Sequence, residues 1–432
     1  MTPQIKQRIE QIRRGEVPKG YKRTKAGIMP LDWCTEKEYK AKDIFKSVTN
    51  KKHNGEFEVL SATQDKGVIP RDQVDIDIKF DESNITSYKK VDRGDFVISL
   101  RSFQGGIEYS EYEGLVSPAY TVLKPIVPIC DGYYKAYFKT GDYINRLNKG
   151  TYGIRDGKQI GFEDFGDMIL HYPTPAEQEK IAEILQMQDK VIELQQKKID
   201  ELKRLKKVYL SKMFPKKGCN VPEIRFTGFT APWEQRKLGE IVSLRGRIGF
   251  RGYTQADLVD AGEGAITFSP ADINDAGYIS LTENKYISWT KYEESPEIKV
   301  QVGDILFTKT ASIGKVGFVR ELKEKATINP QFALLTPNGK TDGYFTFLSI
   351  RTDEFMKKVR DITGGSSVPT MSQERLKELT FMAPSLSEQK NIGGFFANLD
   401  HLITLHQRKL DEEQKKKKSL MQLLLTGIVR VL

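Results

Sequence analysis

Cysteine is scarce in this chain. Cys34, Cys130 and Cys219 stand about 90 residues apart, so neither a disulfide framework nor a Cys-x-x-Cys ligand pair is expected. The four histidines, His53, His171, His401 and His406, show no metal-ligand spacing and are expected at the surface or in a helix seam. No apolar run approaches the roughly 18 residues that span a bilayer, and the mean hydropathy is -0.48, which excludes an integral membrane protein. The opening residues, MTPQIKQRIEQIRRGEV, lack the apolar core of a signal peptide, so a cytoplasmic location is expected. A P-loop is also missing, because Gly314-Lys315 is followed by Val316 and position 309 is Lys rather than Gly.

What is present is length, positive charge and repetition. At 432 residues the chain exceeds one compact core, and two or three globular units are expected. Sixty-eight Lys and Arg against 58 Asp and Glu leave a net charge of +10, which favours a polyanionic partner. The segment from Pro173 aligns without a gap on the segment from Pro384 at an offset of 211, placing Glu177-Gln178 on Glu388-Gln389, Asp189 on Asp400 and Ile192 on Ile403. Upstream, the block from Arg93 matches the block from Val302 at offset 209, and Ser117 to Pro125 matches Asn329 to Pro337 at offset 212. Two homologous halves of about 200 residues follow.

Each half changes character midway. Short apolar runs after Gly-Asp turns, such as Phe96-Val97-Ile98 and Ile305-Leu306-Phe307, read as strands among loops and a few helices. A helical pattern of about 38 residues then begins after each Pro-rich stop. A 4-3 spacing gives the first seam Ile181, Leu185, Ile192, Ile199 and Leu202, and the second Ile392, Phe396, Leu399, Ile403 and Leu410. The expected fold is α+β, with two homologous globular domains separated by two long antiparallel helices that pair as a coiled coil with pseudo-two-fold symmetry. At 1.5 Å per residue each helix is about 57 Å long, roughly 17 base pairs of duplex. The predicted boundaries are an N-terminal helix at 1–15, globular domains at 16–175 and 216–386, and long helices at 176–215 and 387–432. Ile5, Ile9 and Ile12 of the first helix are placed where the second long helix ends.

Catalytic constellations do not assemble. Asn329-Pro330-Gln331-Phe332 resembles the Asn-Pro-Pro-Phe loop of adenine methyltransferases but carries Gln where that loop needs Pro, and reads as a strand entry. Asp72 with Asp77-Ile78-Lys79 reads as a solvated turn rather than a nuclease metal site. Polar and basic loops beside glycine are the candidates for touching nucleic acid, because backbone must approach phosphate and long polar side chains must reach base edges. In the first half these are Gln64, Lys66, Arg101, Ser102, Gln104, Tyr152, Arg155, Lys158 and Gln159. In the second they are Arg245, Arg247, Arg251, Lys309, Thr310, Ser312, Lys315, Ser366, Ser367 and Thr370. The 101–104 and 309–315 loops rank first because the repeat places them alike. The lysine runs Lys203 to Lys207 and Lys415 to Lys418 read as solvated helix faces, with phosphate or partner contact as the alternative.

The duplicated Pro-x-x-x-Glu-Gln before a long helix (Pro173 to Gln178, Pro384 to Gln389), with the Pro-Trp-Glu-x-x-x-Leu-Gly-Glu-Ile opening at 232 to 241, resembles the specificity subunits of type I restriction-modification systems. The resemblance implies a non-catalytic subunit whose two target recognition domains read the halves of a gapped, asymmetric DNA target. It implies paired helices that set the gap and dock two adenine methyltransferase subunits, with restriction subunits in the same prokaryotic assembly. This chain would then bind no cofactor, S-adenosylmethionine residing on the methyltransferase and ATP and Mg on the restriction subunit. Two departures stand out: Leu31-Asp32 is inserted between Pro30 and Trp33, and Gly393-Gly394 replaces Ala182-Glu183, where a local bend is expected. A coiled-coil protein whose heads bind protein is the rival reading, opposed by the basic excess and the paired basic loops. A free-standing methyltransferase or nuclease is the other, opposed by the missing cofactor motif.

Overall fold

The structure is a computed structural model describing residues 2–34, 38–74, 82–150, 160–246, 253–310, 312–363 and 370–431. It divides into two units, Met1–Gln196 with Arg408–Leu432, and Lys197–Gln407. In the first, β1 (Phe45–Val48), β2 (Phe96–Ile98), β3 (Glu108–Tyr109) and β4 (Thr121–Pro125) form an antiparallel sheet in the order β1-β4-β2-β3. The turn entering β2 is built as its sequence suggests: Gly94 takes φ +98°, and Asp95 accepts from the Asp92 amide at 2.8 Å. Phe96 and Ile98 pack with Phe45, Leu123 and the tyrosines of α1 (Asp131–Tyr137), whereas Val97 and Val122 join Leu60, Val68, Val91 and Val116. Both faces of the sheet are covered, which is why β2 reads as an unbroken apolar run. From this unit the chain runs on into α2 (Pro175–Lys212).

The second unit repeats the plan. Its sheet consists of β5 (Val242–Arg245), β6 (Ile305–Thr308), β7 (Val316–Phe318) and β8 (Phe332–Pro337) in the order β5-β8-β6-β7. Gly303 and Asp304 rebuild the turn, with φ +94° and a 2.8 Å bond from the Gln301 amide. Ile305 and Phe307 face one core, which includes α3 (Gly343–Ser349), and Leu306 and Leu334 face another. The outer strands differ between the units. The first unit has two separate antiparallel pairs there, and the second a four-stranded sheet whose Gly264–Phe268 and Ala326–Ile328 strands run parallel. Asn329 to Phe332 is the expected strand entry, an Asn329-centred turn leading into β8.

The last long helix, α4 (Leu386–Leu425), completes both units. In the first unit α2 and α4 pair antiparallel, with Gln188 donating to Glu413 at 2.7 Å and Asp189 meeting Lys417 at 2.5 Å. In the second unit Lys206 meets Asp400 at 2.6 Å, and Tyr209 packs on Phe395. The offset of 211 carries Asp189 to Asp400 and Lys206 to Lys417, so one ion pair occurs twice with the helices exchanging roles. Every seam residue of the sequence reading is buried or half-buried.

Helix α4 runs unbroken through Gly393-Gly394. Gly393 lies against the Asp342 carboxylate, so the small residue admits the N-terminus of α3, while Gly394 faces open space. His171 is fully buried rather than superficial, its Nδ1 2.8 Å from the Leu425 carbonyl and its Nε2 3.3 Å from that of Ala26. Burial pushes its pKa down to about 4, which keeps the ring neutral. The lysine runs are solvated only in part, since Lys206 and Lys417 turn to acids on the facing helix. The N-terminal helix, Pro3–Arg13, reaches the segment beyond α4, with Arg8 donating to the Ile428 carbonyl at 2.9 Å.

Candidate nucleic-acid interface

In the first unit two candidate loops converge. The turn at 63–67 is closed by the Thr63 hydroxyl, which donates to the Gly67 carbonyl at 2.9 Å and accepts from the Lys66 amide at 3.1 Å. The loop from β2 to β3 contains the short helix Ser102–Gly105. The Cβ position of Gly105 lies 2.6 Å from Cγ of Gln64, so the turn rests directly on this helix. Gln64, Lys66, Arg101 and Gln104 are exposed. Ser102 is not: it is 1% exposed, and its hydroxyl accepts from the Ser99 amide at 2.8 Å, so it shapes the loop rather than facing outward.

The second unit gathers its candidates at the same end of the equivalent sheet. The 309–315 loop joins β6 to β7 as the 99–107 loop joins β2 to β3, which confirms their equivalent placement. Thr310 pairs with Thr370 in an isolated bridge, and the Met371 amide donates to the Lys309 carbonyl at 2.9 Å. Gly246 completes the cluster, since a Cβ there would lie 3.4 Å from the Lys309 ammonium and against the Gln373 amide. Burial lowers the Lys309 pKa, so this lysine sits half withdrawn from water. Two candidates are tied down: Arg245 donates to Thr336 at 2.6 Å, and Lys315 to the Pro270 carbonyl at 2.7 Å. Ser312 and Thr370 are exposed.

Tyr152, Arg155, Lys158, Gln159, Arg247, Arg251, Ser366 and Ser367 lie outside the described residues. So do Asp77 to Lys79, which follow Asp72 in the sequence. Among the described residues no group of three or more His, Cys, Asp or Glu is arranged to hold a metal. Sequence reasoning missed Lys139, whose ammonium donates to the Gly105 and Gln64 carbonyls beneath the first loops, and Gln373, which lies against Gly246 in the second cluster. The repeat carried a signal for the first, because Lys139 and Arg351 both follow an aromatic helix at an offset of 212.

The duplicated Pro-x-x-x-Glu-Gln motif is a joint. Gln178 donates to the Pro173 carbonyl at 2.9 Å and accepts from the Cys130 amide, just before α1, at 2.9 Å. Gln389 does the same with the Pro384 carbonyl at 2.9 Å and the Asp342 amide at 3.1 Å, adding the Thr341 hydroxyl at 2.8 Å. Glu177 binds Arg430 at 2.6 Å and the Trp33 indole at 2.9 Å, while Glu388 binds Arg225 through two bonds of 2.7 Å. The inserted Asp32 has a role too, since it accepts from Arg430 at 2.6 and 2.8 Å. Away from these joints each unit leaves an apolar pair exposed on a long helix, Val191 and Leu194 on α2, Leu402 and Leu405 on α4. The offset of 211 relates these pairs as well.

A family model described as "Type I restriction modification DNA specificity domain" matches residues 35–204 and 231–413. The type I restriction enzyme MjaVIII specificity subunit of Methanocaldococcus jannaschii is 24% identical over 363 residues, covering 79% of this chain and 80% of that protein. The putative MjaX specificity subunit of the same organism is 25% identical over 446 residues, covering 95% and 97%. The fold is shared with a solved type I restriction-modification system S subunit from M. genitalium, at a TM-score of 0.51 and 14% identity, covering 91% of this chain and 96% of that one.

Proposed function

This chain belongs to the type I restriction modification DNA specificity domain family, and from that premise we propose that its two units read the two halves of a gapped, asymmetric duplex DNA target. As a member it is the specificity subunit of a type I restriction-modification system, a DNA-recognition component rather than an enzyme. The observation that carries the bipartite reading is the pair of loops 99–107 and 309–315, which leave the equivalent strand of equivalent sheets. Their side chains differ: Arg101 and Gln104 stand in one, Lys309, Thr310 and Ser312 in the other. Different side chains on one scaffold suit two different half-sites. Gln64 and Lys66 extend the first surface, and Thr370 with Gln373 the second.

The long helices set the unread gap and dock two copies of an adenine methyltransferase. The paired apolar residues Val191 and Leu194, and Leu402 and Leu405, support docking in duplicate, since one surface presented twice suits two copies of one partner. Restriction subunits join through the methyltransferases in a prokaryotic cytoplasm. S-adenosylmethionine belongs to the methyltransferase, and ATP and Mg to the restriction subunit. Among the described residues no helix is long and apolar enough to cross a membrane. The test is a genome-wide map of methylated adenines in cells carrying the methyltransferase partner, with and without this chain. A gapped, asymmetric motif that depends on the chain is expected; a palindromic or ungapped motif would overturn the reading.

A further inference from the structure

Beneath the first unit's candidate loops lies a charge that base reading does not itself require. Lys139 stands in the joint between α1 and the helix Gly141–Gly150. Its ammonium donates to the Gly105 carbonyl at 2.8 Å, the Gln64 carbonyl at 3.2 Å and Oε1 of Glu108 at 2.5 Å. An ammonium has three N–H groups, so all three are engaged and none is left for phosphate. The acceptors come from the 63–67 turn, the 99–107 loop and β3. Glu108 is 2% exposed, and its second oxygen has no partner among the described residues. Burial drives that carboxyl up to about 7 against the opposing pull of Lys139. A half-satisfied buried acid is a poor device for stability, so its use lies in fixing Lys139.

The second unit repeats the arrangement with other chemistry. At an offset of 212 Arg351 takes the place of Lys139. Its guanidinium donates to the carbonyls of Asp275 at 2.6 Å and Ala276 at 2.5 Å. The next carbonyl, of Gly277, accepts from the Phe318 amide at 3.2 Å, on the strand leaving the 309–315 loop. In both units a cation in the same joint grips main-chain carbonyls and so holds loop backbone irrespective of loop side chains.

We propose that Lys139 is a positioning residue for base recognition by the first unit, fixing the 63–67 and 99–107 loops against each other through the carbonyls of Gln64 and Gly105. The inference rests on the reading of these loops as DNA-contacting. Base-edge hydrogen bonds tolerate displacements well under about 1 Å, so a loosened loop pair costs discrimination before it costs binding.

The experiment uses the full chain with its methyltransferase partner, selecting from a pool of randomised duplex DNA. Arg101→Ala marks which half of the motif the first unit reads. The test variant is Lys139→Met with Glu108→Gln, which removes the bridge without leaving a buried charge, and Lys139→Arg is the conservative control. The double variant is expected to lose about tenfold or more of base discrimination in the half marked by Arg101→Ala, with the other half unchanged and Lys139→Arg retaining both. Hydrogen exchange at 63–67 and 99–107 should rise together in the double variant alone. Discrimination unchanged in the double variant while Arg101→Ala alters it overturns the inference, and so does equal loss in both halves. If exchange rises but neither Arg101→Ala nor the double variant changes the motif, the loop reading itself falls and the bridge is only a structural clamp.

Discussion

The ion pair that occurs twice offers a controlled comparison of one interaction in two surroundings. In the second unit the Asp400 side chain is 1% exposed and Lys206 12%, and the carboxylate also binds Arg320 at 2.9 Å and the Tyr344 hydroxyl. Burial opposes ionisation of Asp400, but Lys206 together with its hydroxyl partners outweighs it and holds the carboxyl below its ordinary range. In the first unit Asp189 is 53% exposed and Lys417 30%. Asp400→Asn therefore strands two cations in a poorly hydrated site, at a cost of about 3–5 kcal/mol. Lys206, which burial already pushes below its usual pKa, can release its proton, so a value near the lower end is expected. Asp189→Asn removes a solvent-screened pair and should cost about 0–1 kcal/mol. Hydrogen exchange of the intact chain in mild denaturant reads the units separately, through segments near 209–214 and 344–348 against segments near 181–188. Equal destabilisation by the two substitutions would refute the assignment of the difference to burial. Lys206→Met with Asp400→Leu should recover only the part of the loss that Lys206 carries, because Arg320 and the Tyr344 hydroxyl still lose their acceptor.

Other expectations follow from the same structure. Because His171 is held neutral with its pKa near 4, below the unfolded value of 6.5, its contribution is complete above pH 6.5 and is lost as pH falls towards 4, by about 3 kcal/mol in all. His171→Asn should flatten that part of the pH dependence of the urea midpoint, and an unchanged slope would count against a buried neutral ring. Gly394→Ala faces open space and should stabilise α4 by about 1 kcal/mol, whereas Gly393→Ala meets the Asp342 carboxylate and should destabilise, both read by thermal unfolding. Arg101→Ala and Lys309→Ala should each weaken specific DNA binding by about 1–3 kcal/mol in a titration at fixed salt. Unchanged affinity and target for both would remove this loop pair from the interface.

The parts of the fold written in periodicity were legible. The seams through Ile181 and Ile392, the Gly-Asp turns before β2 and β6, and the equivalence of the 101–104 and 309–315 loops follow from a repeat whose offset varies by only a few residues. Most of what escaped the sequence depends on contacts distant along the chain. His171 is buried because Ala26 and Leu425, 145 and 254 residues away, meet it from opposite sides. Ser102 looked like a reader because residue type says nothing of direction, and its hydroxyl turns back on Ser99 within the same loop. Gly393 looked like a defect in α4, and its reason appears only beside Asp342. The outer strands were illegible as a pair, because the two units solve the covering of one sheet face with different strand pairings.

The glutamine of the Pro-x-x-x-Glu-Gln joint has a consequence for how such chains diversify. Gln178 fastens its unit to α2 through the Pro173 carbonyl and the Cys130 amide, groups that every amino acid at those places carries apart from the imino nitrogen of proline. Gln389 makes the corresponding pair of contacts in the other unit. A fastening that recognises main chain is indifferent to most substitutions in the module it holds. Loops and outer strands can then drift, or a whole module be exchanged for another of unrelated surface, while the attachment to the helix keeps its geometry.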